Sequence, residues 1–379
     1  MKADSIHVLW KDLSVLTQYK TGASLHSHTQ YSKEWLDFVP RRAHSVPGLS
    51  HLLRTEERRF HLAHGEALNY ASAWWTPPLG ARRAYELERE QIENDLGMRA
   101  LVSLTDHDDI DASITLHVLP EFQSLPVSLE WTVPFRASFL HVGVHNLPVQ
   151  WANVVTERLA SYTCDPRKES LTGLFSILHG LPSVLTVLNH PLWDEHGIGA
   201  AQHRLQLLEF LAKYKEWIHA LEINGLRSWA ENLTVSRLAC EWGIPVIAGG
   251  DRHGLEPNAI VNVTNAGSFA EFVAEVRNDR RSEVLLMRQY REPVKYRILQ
   301  TIFDVLGEHS ELATNRRRWT DRVFFRHRNS EITTLSMLWK AGEPTAVKLF
   351  LAGSRLLKHQ TISNVLRIAL ASRNPEFAE

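Results

Sequence analysis

The segment Gly22-Ala23-Ser24-Leu25-His26-Ser27-His28-Thr29 joins a short apolar run to two histidines. Because side chains alternate across an extended strand, His26 and His28 point to the same side. Two imidazoles on one side can bind one metal ion. Histidine pairs also occur without a metal, so the interpretation of this segment depends on the polar clusters that follow it along the chain.

Six further apolar runs end in, or contain, side chains that commonly bind metals. They are residues 100–105, 126–131, 138–145, 183–188, 220–223 and 244–248. Helix-like segments separate several of these runs, a pattern typical of repeated β/α units in a parallel barrel or a doubly wound sheet. Functional residues of such a barrel gather at the carboxyl ends of its strands. We therefore expect the polar residues to converge at one end.

Three polar groups in these runs are consistent with a bound cation. Residues Asp106-His107-Asp108-Asp109 follow one run, and their carboxylates repel one another unless a cation is present. A helix N-terminus rich in aspartate is the alternative for the later members. Glu130 lies inside an apolar run, where an unpaired carboxylate is costly to bury. His141 and His145 have the same parity on the next strand, so either can be the ligand.

Composition limits the classes of protein that fit. Of the 379 residues, 44% are hydrophobic, enough for one large domain with an extension. Two cysteines do not make a disulfide framework, and the first residues lack an apolar signal segment. No apolar run approaches the roughly 20 residues that cross a bilayer. Together these features predict a cytoplasmic protein.

The combined set of motifs resembles the polymerase and histidinol phosphatase (PHP) family. The matching residues, in the family's order, are His26-x-His28-Thr29, Thr105-Asp106-His107, Glu130, His141, Asn189-His190-Pro191 and Gly250-Asp251-Arg252-His253. The resemblance covers roughly residues 20–255. It implies an α/β fold, a distorted seven-stranded (β/α) TIM-like barrel, with two or three divalent metal ions (Mn, Zn or Fe) at its mouth. It also implies hydrolysis of phosphate esters.

The resemblance implies a role for each matching residue. The first metal would be held by His26, His28, Glu130 and Asp251, the second by Glu130, His141 and His190, and the third by His107 and His253. The spacing of Glu130 and His141 is similar to that in members that act on small phosphorylated metabolites and nucleotides, which favours His141 over His145. Where many relatives have Asp or His, this chain has Lys33 and Glu34. Either Glu34 replaces that ligand or Lys33 places an ammonium there.

The residue types indicate the same chemistry. Imidazole and carboxylate ligands together suit Mn, Fe or Zn better than Ca or Mg. Two ions that share a carboxylate make a water acidic enough to attack phosphorus near neutral pH. Arg252 is the predicted phosphate contact, with an ion pair to a carboxylate as its alternative and Lys33 as a second contact. Asp108 and His253 are candidates for the acid that protonates the leaving group.

The predicted organisation is a metal-dependent barrel over residues 1–266, with an insertion over the site at 31–97 and a helical, basic extension at 267–379. The extension holds 19 Lys and Arg against 13 Asp and Glu, a net charge of +6 against −7 for residues 1–266. Its arginine-rich run at 316–328 is a candidate to bind nucleic acid or anionic lipid headgroups. The alternatives are a solvated helical surface, packing over the barrel, or self-association. A small phosphorylated molecule is the predicted substrate. The alternatives are a nuclease acting on oligonucleotides and a non-catalytic metal-binding module.

Overall fold

A computed structural model describes residues 5–40, 49–339, 342–357 and 360–370 of the chain. The chain divides into two compact units, the first made of residues 1–32, 79–301 and 370–379, the second of 33–78 and 302–369. Residues 371–379, the end of the predicted extension, lie outside the described residues. This division differs from the predicted boundary at residue 266, because segments from both sides of that boundary share one sheet in the second unit.

The strands and helices of the described residues are as follows. The strands are β1 (Ile6–Val8), β2 (Thr21–Ser24), β3 (Glu34–Trp35), β4 (Ala73–Trp75), β5 (Arg99–Val102), β6 (Val127–Phe135), β7 (Ser138–Leu147), β8 (Leu185–Asn189), β9 (Ala220–Asn224), β10 (Val246–Gly249), β11 (Ile260–Thr264), β12 (Glu283–Leu286), β13 (Val323–Arg326) and β14 (Ile332–Thr334). The helices are α1 (Val15–Gln18), α2 (Leu49–His64), α3 (Ala81–Gln91), α4 (Asp111–Leu116), α5 (Val149–Cys164), α6 (Leu171–His179), α7 (Ala200–Tyr214), α8 (Trp229–Trp242), α9 (Phe269–Arg277), α10 (Val294–Val305), α11 (Leu335–Leu338), α12 (Thr345–Leu357) and α13 (Gln360–Leu370).

Two five-stranded sheets form the framework of the first unit, in the orders β1-β12-β11-β2-β5 and β10-β9-β8-β7-β6. All seven apolar runs predicted as strands are strands, namely β2 and β5 to β10. The expectation of an all-parallel sheet is wrong at β7, which is antiparallel to both of its neighbours. The reason is the two-residue connection Arg136-Ala137, which is long enough only for a hairpin. Arg136 makes the turn with a φ of 59°.

Two isolated parallel bridges link these sheets beyond the ends of their strands. Ser27, past the end of β2, pairs with Arg252, past the end of β10. His107, past the end of β5, pairs with Glu130 in β6. Within the described residues no sheet closes on itself. The α/β class is confirmed, with mixed rather than parallel sheets.

Helices cover the second sheet and form the main core of the first unit. Trp131 of β6 is fully buried and donates its indole N–H to the carbonyl of Leu159 in α5, at 3.1 Å. Phe175 of α6 packs edge-on against the same indole, with ring centroids 5.7 Å apart. Burying such aromatic side chains contributes about 2 to 3 kcal/mol each. This packing fixes β6, and with it the side chains at the end of the sheet.

The second unit contains a four-stranded antiparallel sheet, β14-β13-β4-β3. Phe324 of β13 stacks on Trp74 of β4, with centroids 5.4 Å apart. The prediction that residues 267–379 are helical is therefore wrong for β12, β13 and β14. These apolar runs are short, and over about four residues hydrophobic periodicity alone does not distinguish a strand from a helix.

The arginine-rich run is partly used to build the second unit. Arg322 is 1% exposed and donates to the carbonyls of Arg316 and Arg317 at 3.0 and 2.8 Å. Arg318 pairs with Asp321 at 3.0 Å. These contacts favour a structural role for this part of the run over nucleic-acid binding. No helix among the described residues is both long enough and apolar enough to cross a membrane.

Candidate metal centre

The predicted ligands lie where the strands of the first unit end. β2, β5, β6, β8, β9 and β10 run in one direction, as their pairings and the two isolated bridges show, so their carboxyl ends lie together. β7 runs in the opposite direction and brings its amino end to the same place. The segment after β2 is held there by the backbone N–H of His28, which donates to the carbonyl of Arg252 at 2.8 Å. Asp106 accepts from the backbone N–H and the hydroxyl of Thr29, at 2.5 and 2.7 Å, which ties the end of β5 to the same segment.

Glu130 lies at the centre of the cluster and is fully buried. Its Oε2 is 3.1 Å from Nε2 of His26 and 3.4 Å from Nε2 of His28. Oδ1 of Asp251 is 3.7 and 3.6 Å from the same two nitrogens. One atom each from His26, His28 and Glu130 lie within 4.8 Å of one another, a spacing that can hold a metal ion.

A second group of imidazoles surrounds the same carboxylate. Oε1 of Glu130 is 3.1 Å from Nε2 of His190 and 3.6 Å from Nδ1 of His141, and Oε2 is 3.4 Å from Nε2 of His107. His107, Glu130 and His141 form another group of potential metal ligands within 4.8 Å. Because Glu130 belongs to both groups, one oxygen can face each of two ions. The amide of Asn189 donates to Oε1 at 2.9 Å and fixes the carboxylate.

Glu222, in the middle of β9, fixes the tautomer of His26. Its Oε2 is 2.7 Å from Nδ1 of His26, and its Oε1 accepts from the amide of Asn224 at 2.7 Å and from the backbone N–H of His190 at 3.2 Å. In the neutral ring, a proton on Nδ1 would leave the lone pair of Nε2 toward Glu130, available to a metal ion. Without a metal, the neighbouring carboxylates favour the doubly protonated ring. Gly249 makes room for this carboxylate, since a Cβ there would lie 1.9 Å from Oε2 of Glu222.

A second carboxylate, that of Glu195, lies beside His141 as an ion-pair partner, without the hydrogen-bond geometry of the His26–Glu222 contact. Oε2 of Glu195 is 3.2 Å from Nε2 of His141, which leaves Nδ1 facing Glu130. Glu195 lies in the loop between β8 and α7. Ligand histidines in metal sites usually donate their second N–H to such a carboxylate.

Two of the candidate metal ligands have a strained backbone conformation. Asp251 has a φ of 57° and His190 has a φ of 25°. Both values are positive, and residues other than glycine rarely adopt a positive φ. Each costs about 1 to 3 kcal/mol and persists only where the surrounding structure holds it. Asn224 helps to stabilise Asp251 in this conformation, because its amide donates to Oδ2 of Asp251 at 3.2 Å. His253 follows with Nδ1 2.9 Å from the carbonyl of Asp251, and its ring stacks on His28 with centroids 4.2 Å apart.

Burial and neighbouring charges shift the pKa values of these side chains in opposite directions. Burial alone would lower the pKa of His26, but the carboxylates of Glu130, Glu222 and Asp251 outweigh it and raise that pKa well above its ordinary value. Burial would raise the pKa of Glu130, but His26, His107 and His141 hold it well below its ordinary value. Glu130 therefore stays ionised and attracts positive charge, as a cation site requires.

His145, the alternative to His141, has a different environment. It is 2% exposed, and its Nδ1 makes a hydrogen bond with the hydroxyl of Ser103 at 2.9 Å. Burial, with a smaller effect from His26, lowers its pKa to about 3 from an ordinary value of 6.5. His145 is therefore a neutral core histidine, whereas His141 lies beside Glu130.

Replacing His145 with glutamine is expected to flatten the pH dependence of stability in the metal-free protein. Between about pH 3 and 6.5 the unfolded chain binds a proton that native His145 does not, so the free energy of unfolding falls on acidification. The contribution is at most about 1.4 kcal/mol per pH unit. Urea unfolding across this range measures it, with the exposed His51→Gln as control. Equal slopes in the wild type and His145→Gln would contradict the expectation.

Arg252, predicted to contact phosphate, is 4% exposed and pairs with other groups. Its Nε is 3.0 Å from Oε1 of Glu88, and an Nη donates to the amide oxygen of Gln91 at 2.9 Å. Glu88 also accepts from the hydroxyl of Ser24 at 2.8 Å and from the amide of Asn258. These contacts match the ion-pair alternative, and the role of Arg252 as a phosphate contact stays a prediction. The pair connects the loop after β10 to α3.

The remaining predicted site residues have different surroundings. Asp108 has a φ of 53°, and its Oδ1 accepts from the backbone N–H of Thr132 at 2.9 Å and the hydroxyl of Thr163 at 3.2 Å. Burial raises its pKa, against the opposing effect of the Thr132 N–H. Lys33 and Glu34 belong to the second unit, Lys33 as an exposed residue and Glu34 as the first residue of β3. Their roles as phosphate contact and ligand stay predictions.

Sequence analysis missed the two carboxylates that pair with histidines, Glu222 and Glu195. Glu222 carries the same signal as Glu130, an acidic residue inside an apolar strand, and could have been found by the same reasoning. Glu195 lies in a loop among polar residues, and nothing in its local sequence distinguishes it.

No family model matches the chain, and no curated protein matches its sequence. Among solved structures, it is similar to a protein from Bifidobacterium adolescentis assigned as a metal-dependent phosphoesterase, with 11% identity over 52% of this chain and 91% of that one and a TM-score of 0.31. It is also similar to an amidohydrolase from Chromobacterium violaceum, solved with bound sulfate and no metal, with 12% identity over 47% of this chain and 83% of that one and a TM-score of 0.31. Similarity of this size does not assign the chain to a family.

Proposed function

We propose that the first unit binds two divalent metal ions on either side of Glu130 and hydrolyses phosphate esters of small molecules, as PHP proteins do. The observation that carries the proposal is that five imidazoles lie within 3.6 Å of one buried carboxylate. Such a mixed set fits Mn, Zn or Fe. A third ion near His107 and His253 is part of the same proposal, supported by the grouping of His28, Asp251 and His253.

We also propose that this unit is a distorted seven-stranded barrel. Its members would be β2 and β5 to β10, with the two isolated bridges, Ser27 to Arg252 and His107 to Glu130, joining the two sheets at the site. A ring of this kind explains why histidines in or just after four different strands, β2, β5, β7 and β8, approach one carboxylate.

The chain's own residues would prepare the site for hydrolysis. Glu222 holds His26, and Glu195 lies beside His141, with one ring nitrogen of each histidine toward Glu130. When bound, the metals would supply Lewis acidity, which lowers the pKa of a water and offsets charge on the phosphate oxygens. His253 has the most exposed imidazole of the cluster, with 15% of its side chain accessible, and would face the substrate. In the form with two ions, where His253 binds no metal, it is therefore our preferred donor of a proton to the leaving oxygen, ahead of Asp108.

His28→Ala and Asp251→Ala test the proposal directly. Each variant should lose hydrolysis of phosphomonoesters and contain less metal, because each removes a ligand atom from the first group. The measurements are elemental analysis and a screen of phosphomonoesters, nucleotides and short oligonucleotides with Mn added. His7→Ala, which removes a histidine paired with Glu283 at 3.0 Å outside the cluster, is the control.

Three outcomes of this screen contradict the proposal. Full turnover and metal content in both variants would exclude the site. Metal binding by the wild type without turnover of any substrate would indicate a non-catalytic module. Turnover of oligonucleotides alone, falling steeply with salt, would indicate a nuclease.

Glu222→Gln is expected to weaken metal binding about 10- to 100-fold, because glutamine cannot hold the Nδ1 proton of His26 as a carboxylate does. Calorimetric titration of the metal-free protein with Mn or Zn measures the change. The matched control is Glu283→Gln, which alters another His–Glu pair at 3.0 Å, that of His7. Unaltered affinity in Glu222→Gln would show that this carboxylate does not orient a ligand.

A further inference from the structure

A second polar site lies at the other end of the strands, away from the histidine cluster. It is a cavity of about 490 Å³ at the amino ends of β9 and β10, where α6, α7, α8 and α9 end. Its lining includes His179, Lys215, His219, Trp242 and Arg280. This volume is within the range of about 300 to 1,000 Å³ found for small-molecule sites.

His219 contributes a buried donor that has no acceptor. The residue is 9% exposed, and its Nδ1 accepts the backbone N–H of Thr186 at 2.9 Å. Because Nδ1 accepts, the neutral ring carries its proton on Nε2. Among the described residues, Nε2 has no hydrogen-bond partner. An unpaired buried N–H is costly, which points to an acceptor supplied from outside the chain.

The charges around the cavity are mostly positive. Lys215, Arg277 and Arg280 line it, against the single carboxylate of Glu216. Nζ of Lys215 is 3.8 Å from that carboxylate, and Arg280 donates one N–H to the carbonyl of Gly243 at 2.7 Å. Burial, followed by the effects of Arg277, His179 and Arg280, lowers the pKa of His219 to about 3. The cavity is therefore electropositive.

Part of this charge has a purely structural explanation. Arg277 donates to the carbonyls of His179, Leu181 and Val184 at 2.6 to 2.7 Å, and so satisfies the end of α6. Arg280 acts similarly at the end of α8. This explanation does not account for Nε2 of His219, which has no hydrogen-bond partner among the described residues. Lys215 has local contacts of its own, with the carboxylate of Glu216 and the ring of Trp242.

We propose that the cavity binds a small molecule that carries a phosphate-type group, at a site separate from the candidate metal centre. The oxyanion would accept from Nε2 of His219 and lie among Lys215, Arg277 and Arg280. Nζ of Lys215 lies over the ring of Trp242, 5.7 Å from its centre, a cation–π contact that holds the ammonium at the cavity wall. The site does not depend on the activity proposed for the metal centre.

Calorimetric titration of the full-length protein with pyrophosphate tests the proposal. Metal is first removed with a chelator, and the chelator is then removed by dialysis. This treatment removes phosphate binding through metal ions. Saturable one-to-one binding is expected, weakened about tenfold or more in Lys215→Met and in His219→Phe. Lys213→Met, which removes the same charge at an exposed position two residues away, should bind as the wild type does.

Parallel titrations with inorganic phosphate and with a nucleoside diphosphate identify the source of the group. Tighter binding of the nucleotide than of pyrophosphate would assign an organic ligand, and equal binding a free inorganic ion. Either result supports the site. Absence of saturable binding of all three, or equal weakening in Lys213→Met and Lys215→Met, would overturn it. Circular dichroism on each variant shows whether His219→Phe is folded, and Lys215→Met decides the result if it is not.

Discussion

Replacing Glu130 with glutamine is expected to lower phosphomonoester hydrolysis at least about a thousandfold and to remove metal from the protein. The substitution keeps the size of the side chain but removes the negative charge that His26, His107 and His141 face. Two groups of potential ligands share this carboxylate, so both metals should be affected. Turnover kinetics and metal content measured on the same samples test this.

Glu121→Gln is the control, because it makes the same change at a glutamate whose side chain is 53% exposed. Loss of activity in Glu130→Gln with full metal content would assign Glu130 to the chemistry rather than to binding. Full activity together with full metal content in Glu130→Gln would show that Glu130 is not central to the site.

Replacing Glu88 is expected to lower the free energy of unfolding by a large amount. Glu88→Ala should destabilise the fold by about 3 to 5 kcal/mol, because it leaves the guanidinium of Arg252 buried without its carboxylate. Side chains of both partners are 2% exposed or less. Glu86→Ala, in the same helix, breaks the exposed pair with Arg82 at 3.2 Å and should cost no more than about 1 kcal/mol. Urea unfolding of the two variants gives the comparison.

The double variant Glu88→Leu with Arg252→Met separates the charge effect from the loss of packing. It should recover much of the lost stability, since neither charge then remains in the interior. Equal stability of Glu88→Ala and Glu86→Ala would contradict the assignment of Arg252 to a buried ion pair.

The sequence predicted the elements that have strong local signals. Each of the seven apolar runs is a strand. β1, β11 and β12 were missed, because they end in no distinctive polar cluster. Local periodicity was the signal used, and these strands gave too little of it.

Long-range contacts could not be predicted in this way. β4 and β13 pair across about 250 residues of chain, and no local pattern indicates that pairing. The partner of Arg252 was also hidden, because Glu88 lies on an ordinary amphipathic helix. His26 and Glu130 could be grouped because a metal site requires several ligands of a few residue types. The buried partners of these residues are seen only in the structure.

The hairpin of β6 and β7 affects how the site assembles as the chain folds. Glu130 and His141 are eleven residues apart, and the two-residue turn alone brings them to neighbouring positions on one face of the hairpin. His26 and Glu222 are separated by 196 residues and meet only after most of the first unit has formed. Closing so long a loop is slow compared with forming a hairpin. A nascent chain would therefore hold half of the proposed metal site long before it could retain an ion.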